Sequence, residues 1–122
     1  MDSITVHVQL YGELSCYGRP VHHSGDYSNS NVRLPLRSTL KQLLDYLLMC
    51  TNERGFTFIN EKMSAMHNMQ PDLDEILQDG DKVIFFPRKM LPTKLHFDIR
   101  LTDKMTRTVQ ADEDLNLYYL YA

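Results

Sequence analysis

Ser38-Thr39-Leu40-Lys41-Gln42-Leu43-Leu44-Asp45-Tyr46-Leu47-Leu48 sets leucines at i, i+3, i+4, i+7 and i+8, the spacing of one apolar stripe along an α-helix, with Ser38 as its expected N-cap. Burying five leucines contributes roughly 1.5–3 kcal/mol each, and a helix this short cannot bury them against itself. A sheet must cover the stripe. Upstream, Ile4, Val6, Val8 and Leu10 alternate with Thr5, His7 and Gln9, the period of a half-buried strand. Val32-Arg33-Leu34-Pro35-Leu36 alternates again, its proline suiting a place where a missing N–H does not interrupt a ladder. Between these strands, residues 16–31 carry Gly18, Pro20, Gly25 and a Ser/Asn run, and read as a long flexible loop.

Downstream, Gly55 restarts the chain and Phe56-Thr57-Phe58-Ile59-Asn60 reads as a third strand, followed by a Met-rich connection and a helical turn over residues 72–77. Gln78-Asp79-Gly80-Asp81 is a turn that delivers Lys82-Val83-Ile84-Phe85-Phe86, whose apolar run predicts a central strand covered on both faces. The order strand, strand, helix, strand, strand belongs to the α+β class. Past Pro87, Leu95, Phe97, Ile99 and Leu101 alternate with His96, Asp98 and Arg100. Thr102-Asp103-Lys104 then predicts a turn, and residues 105–111 the return strand of a hairpin. Residues 113–122 fit either period, with a short helix preferred. Residues 94–122 would then echo the strand, strand, helix order of residues 4–49. The expected organisation is a domain over residues 1–90 and an extension over 91–122 that packs on it or on a second chain.

A chain of 122 residues with 43% hydrophobic content suffices for one core. Its net charge of -3 supplies no basic field for nucleic acid or an anionic membrane, so neither is an expected partner. No apolar stretch is long enough for a bilayer, and residues 1–3 lead into the first strand without the features of a leader, so a cytoplasmic location is expected. Cys16 and Cys50 have no CxxC spacing and read as reduced thiols.

The opening strand followed by Gly12-Glu13-Leu14, the helix starting Ser38-Thr39-Leu40, the Phe58-Ile59-Asn60-Glu61 stretch, and above all Leu77-Gln78-Asp79-Gly80-Asp81-Lys82-Val83 running into Phe85-Phe86-Pro87 carry a resemblance. Over residues 4–90 the chain resembles the sulfur-carrier family that includes the molybdopterin-synthase small subunit (MoaD) and the thiamine-pathway carrier ThiS. The resemblance implies a ubiquitin-like β-grasp, a mixed sheet packed on one main helix, here with an extra C-terminal β-hairpin and a short terminal helix. In that family the Phe-Pro strand leads to a free terminal Gly-Gly, whose carboxylate is adenylated and converted to a thiocarboxylate. Here the corresponding positions fall near Leu91-Pro92, no Gly-Gly pair occurs anywhere, and the chain continues to Ala122. A backbone without Cβ is what lets such a tail thread a narrow channel, so ordinary sulfur carriage is not expected.

What the resemblance still implies is a binding surface: the exposed sheet and the end of its outgoing strand, Phe86, Pro87, Arg88, Lys89 and Met90. The expected partner is a protein, such as an adenylating enzyme, a cofactor-synthase subunit or a metalloenzyme of a molybdenum or tungsten cofactor or thiamine-type sulfur pathway. The alternatives are a working carrier with an unusual terminus, or a structural subunit that homodimerises through residues 91–122.

Other constellations read more simply. Met63, Met66 and Met69 with His67 hold soft ligands suited to Cu(I), but a methionine stripe fills uneven cores. His22-His23 near Cys16 lacks a convincing fourth zinc ligand. His96, Asp98 and Arg100 share a face as on any solvated strand, and Ser15, Cys16 and Cys50 have no evident base. Asp112-Glu113-Asp114 reads as favourable charge at a helix start. No catalytic, cofactor-binding or metal-binding residue is assigned.

Overall fold

The structure, a computed structural model, describes residues 2–17, 23–24, 27–66, 69–88 and 100–111. It is α+β, with a mixed seven-stranded sheet and two helices. Strand β1 (Ser3–Tyr11) buries Ile4, Val6, Val8 and Leu10 and pairs antiparallel with β3 (Tyr27–Pro35) from Ser3 opposite Pro35 to Tyr11 opposite Tyr27. The two-residue β2 (His23–Ser24) pairs with the start of β3. Residues 27–31, expected in the loop, therefore belong to the sheet. Their inward positions hold Ser28 and Ser30 opposite Leu10 and Val8, so the strand has no apolar alternation there by which to be recognised.

Helix α1 (Leu40–Leu47) is capped by Thr39, one residue later than expected. The Gln42 N–H donates to Thr39 Oγ1 at 3.3 Å and the Thr39 N–H to Gln42 Oε1 at 2.8 Å, a capping box. Ser38 Oγ instead donates to the Pro35 carbonyl at 2.6 Å and closes the turn out of β3. Leu40, Leu43, Leu44 and Leu47 are buried against the sheet as the stripe predicts. Leu48 departs from it. The helix has ended, Leu48 is left-handed at φ 60° and 84% exposed, and the Met49 N–H bonds the Leu44 carbonyl, which puts Met49 in the core instead.

The hairpin of β4 (Arg54–Ile59) and β5 (Lys62–Ala65) turns through Asn60 and Glu61, both at positive φ as a two-residue I′ turn demands. The Met-rich connection thus contains a strand. β6 (Lys82–Pro87) lies between β1, to which it is parallel, and the antiparallel β4, while β7 (Arg100–Leu101) runs parallel to β5. The sheet order is β2-β3-β1-β6-β4-β5-β7. β6 is central as expected, but only its inner face is fully covered: Val83, Phe85 and Pro87 are buried, Ile84 and Phe86 half-buried. The turn before it explains the Asp-Gly-Asp sequence. Gly80 sits at φ 87°, Asp79 accepts from the Thr5 N–H at 2.8 Å, and Asp81 accepts from the Gln78 N–H and from Asn60 Nδ2, tying β1, β6 and the β4–β5 turn together.

The expected return strand is a helix, α2 (Asp103–Ala111). A strand would have put Arg107 on the same face as Met105 and Val109. The helical period separates them, burying Met105 and Val109 against Met63, with Phe56, Phe58, Met66, Met69 and Leu101 around that second cluster. The hairpin and the echo of residues 4–49 therefore do not hold; residues 95–99 and the terminal segment 113–122 lie outside the described residues. The portion over 100–111 packs on the domain through β5 and the 3₁₀ turn Pro71–Asp74. Lys104 Nζ donates to exposed Asp74 at 2.7 Å and, chiefly through that hydrogen bond, holds the Asp74 carboxyl below its ordinary value. This contribution is present above the ordinary carboxylate range and is lost as pH falls through the lowered value, and at so exposed a pair it is small.

The turn Pro71–Asp74 is anchored by an ion pair with no solvent exposure at either side chain. Arg54 Nη2 and Nη1 donate to Asp72 Oδ1 and Oδ2 at 2.6 and 2.9 Å, a bidentate clasp. The remaining guanidinium donors reach Gln70 Oε1 at 3.0 and 2.9 Å and Thr57 Oγ1 at 3.1 Å, and Ser64 Oγ donates to Asp72 Oδ2 at 2.7 Å. Removing one partner leaves a buried charge uncompensated, so Asp72→Ala is expected to cost about 3–5 kcal/mol in denaturant unfolding, while Asp74→Ala moves the midpoint far less. Leu48→Gly, which relieves a left-handed leucine, is expected to raise stability by about 1 kcal/mol in the same measurement.

Candidate protein-binding surface

Alternation along the strands divides the sheet into two faces, because neighbours of each buried residue must point away from α1. On β1 the outward set is Thr5, His7, Gln9 and Tyr11; on β3 it is Tyr27, Asn29, Asn31 and Arg33; on β6 it is Lys82, Ile84 and Phe86. The register aligns these residues in rows across the sheet. Tyr27, Tyr11 and Phe86 form one row, Asn29, Gln9 and Ile84 the next, then Asn31, His7 and Lys82, and finally Arg33 beside Thr5. The surface is therefore graded, aromatic where β6 leaves the sheet and basic where it enters.

At the aromatic end, Phe86 stacks on Tyr11 with ring centroids 4.8 Å apart and planes 7° apart, and meets Phe58 edge-on at 5.9 Å. Tyr11 in turn lies 4.9 Å from Tyr27. Such contacts contribute about 0.5–1.5 kcal/mol each beyond buried area, enough to hold the rings as a firm platform. Near the basic end, His7 Nδ1 and Asn31 Oδ1 are hydrogen-bonded and Arg33 Nε donates to Ser3 Oγ at 2.9 Å. None of the outward positions on these three strands is a carboxylate.

The residues expected at the outgoing end divide differently. Phe86 contributes a half-buried ring to the platform, Pro87 is buried, and Arg88 is exposed. Lys89 and Met90 lie outside the described residues. Pro87 and Gly55 sit so close that a Cβ on Gly55 would meet the Pro87 carbonyl oxygen at 2.7 Å, so this position accepts only glycine without backbone movement. Arg88 borders an open cleft of about 410 Å³ shared with Glu13, Leu14, Tyr17, Asn52 and Glu53, in which the Tyr17 hydroxyl donates to Glu53. A second cleft of about 440 Å³, between the β4–β5 turn and the start of α2, sets Lys62, Lys104 and Arg107 against Glu75, Asp81 and Asp103, a balance that favours neither sign of ligand.

The sequence gives no hint of Tyr11, Tyr27 and Phe58 as partners of Phe86. Their meeting depends on the β1–β3 and β1–β6 registers, and Tyr27 lies in the polar stretch whose pattern conceals its strand. Of the other constellations, Met63, Met66 and Met69 all pack in the second core cluster, as apolar fillers. His22, His67, His96 and Asp98 lie outside the described residues, Arg100 is exposed on β7, and Cys50 is exposed. Among the described residues no three His, Cys, Asp or Glu side chains converge as a metal site would require, and no helix is long and apolar enough to cross a membrane. Comparison with protein-family models, curated proteins and solved structures gives no match.

Burial, reinforced by the nearby Tyr11 phenol, raises the Tyr27 pKa above its ordinary value of 10.0. The group binds its proton more tightly when folded, so its contribution to stability is complete below the unfolded value and is lost as pH rises through the folded one. Ultraviolet titration is expected to show one tyrosine ionising late, and Tyr11→Phe to bring that transition part of the way back while leaving the burial effect in place.

Proposed function

We propose that the chain is a ubiquitin-like β-grasp protein similar to the MoaD/ThiS carriers, retained as a non-catalytic module that binds a protein through the outward sheet face and the end of β6. The observation that carries this reading is the parallel placement of β6 beside β1, between the two hairpins, with α1 packed across one face and an aromatic platform on the other. β6 so placed is the outgoing strand of the sheet. In the carriers the reactive Gly-Gly follows there. Here Arg88, Lys89 and Met90 lead to Leu91-Pro92, and a proline ring with an adjoining leucine side chain cannot replace two residues without side chains in a narrow nucleotide channel.

Binding without acyl transfer is what such a scaffold can still do. Its partner belongs to the enzymes that otherwise handle carriers of this type: an adenylating enzyme, a cofactor-synthase subunit or a sulfur-accepting enzyme. A half-exposed aromatic group beside an exposed arginine is the composition that dominates binding energy at protein interfaces. Arg88 and Phe86 are the anchors of this reading.

The test combines the full chain with a carrier-adenylating enzyme, ATP and a sulfur donor, followed by intact mass and by equilibrium binding. The mass is expected to stay unchanged while the chain binds, and Arg88→Glu and Phe86→Ala are expected to weaken binding by about tenfold or more. Replacement of one carboxyl oxygen by sulfur would identify a working carrier instead. Absence of binding to adenylating, synthase and acceptor enzymes alike would remove the pathway assignment.

A further inference from the structure

The whole chain is acidic at net charge -3, yet the outward rows of β1, β3 and β6 carry Arg33, Lys82 and His7 and no Asp or Glu. The three basic side chains are exposed and lie on adjoining rows, with His7 directly between Asn31 and Lys82. Two carboxylates of the turn into β6, Asp79 and Asp81, are engaged in that turn's own hydrogen bonds. Asp79 accepts from the Thr5 N–H, and Asp81 from the Gln78 N–H and Asn60 Nδ2. A cation left without a carboxylate on its own face is free to pair across an interface, where complementary charge sets encounter rate and orientation.

We infer that the occupant of this face is an acidic protein segment, with carboxylates over Arg33 and Lys82 and an aromatic or aliphatic side chain on the Tyr27–Tyr11–Phe86 platform. The inference rests on the reading of the sheet face as the docking surface and specifies the partner's chemistry. The distance between the two ends fixes the spacing the segment must have. Lys82 and Phe86 are four residues apart along one strand, so an extended partner presents its acidic and apolar groups about 13 Å apart. The same grading sets polarity, because a segment with its acidic and apolar ends exchanged would put carboxylates on aromatic rings and apolar side chains on exposed cations.

The probe is a random copolymer of glutamate and tyrosine, compared with one of lysine and tyrosine, each titrated against the full ¹⁵N-labelled chain. Net charge alone favours the lysine copolymer; the face favours the glutamate one. Expected results are binding of the glutamate copolymer, amide shifts confined to residues 3–11, 27–35 and 82–86, and loss of affinity as salt rises from about 0.05 M to about 0.5 M. Arg33→Glu and Lys82→Glu are each expected to weaken binding about tenfold, while Lys41→Glu on α1, which lies on the opposite side of the sheet, leaves it unchanged. Circular dichroism of each variant separates loss of binding from loss of fold. Preference for the lysine copolymer, indifference to both charge reversals, or no binding of either copolymer would overturn the acidic partner. If shifts still map to these strands, the docking face stands without it. Shifts confined to α1 or α2 would remove the docking face itself.

Discussion

The buried clasp between Arg54 and Asp72 is the constraint on which the rest of the molecule rests. An arginine with no solvent exposure is tolerable only if its charge is matched and its donors are used, and here the carboxylate, Gln70 and Thr57 together satisfy the guanidinium. The consequence is positional. Asp72 belongs to the 3₁₀ turn Pro71–Asp74, Arg54 opens β4, and Ser64 in β5 also bonds the carboxylate, so one charge pair fixes the connection against both strands of the second hairpin. A hydrophobic contact at this place would tolerate sliding by an ångström; a bidentate pair with four further directed hydrogen bonds around it does not.

From that anchor the chain is led to the first half of the fold. The residues after the turn pair with the entrance to α1: the Leu40 N–H bonds the Glu75 carbonyl and the Leu77 N–H bonds the Ser38 carbonyl. The turn of Asp79, Gly80 and Asp81 then delivers β6 alongside β1. The parallel pair at the sheet centre therefore forms between strands at opposite ends of the domain. Its closure entropy is offset by the leucines of α1 packing over Val6, Val8, Val83 and Phe85. The platform of Tyr11, Tyr27 and Phe86 and the basic rows beyond it follow from that pairing together with the antiparallel register of β1 and β3.

Where one period dominates, the residues declare the structure. The alternation of residues 4–10, the leucine stripe and the Asp-Gly-Asp turn all place their elements correctly, because each has a local physical signature strong enough to survive tertiary context. Failures occur where two periods compete or where the inward face is polar. Met105 and Val109 suit both periods, and it is the position of Arg107 that selects helix. Ser28 and Ser30 let the first five residues of a nine-residue strand, 27–31, pass for loop. Leu48 fits the stripe by arithmetic but not by geometry, because the helix ends before reaching it. The candidate surface was legible only in part: Phe86 and Arg88 stand out as an exit from a central strand, whereas the residues that give Phe86 its surroundings come from strands whose register no short-range pattern encodes.

The segment over residues 100–111 covers one edge of the sheet. A strand such as β5 would otherwise present a row of unpaired backbone groups beside a methionine-rich surface, the combination that invites indiscriminate pairing. β7 pairs with that edge, and α2 covers Met63 with Met105 and Val109. The Lys104–Asp74 contact then ties α2 back to the turn that Asp72 anchors. At the other edge β2 pairs with only Tyr27 and Ser28 of β3, so among the described residues the two edges are covered unequally. The proposed binding face would draw its selectivity from aromatic and cationic groups, which discriminate between partners in a way that an open ladder of N–H and C=O groups cannot.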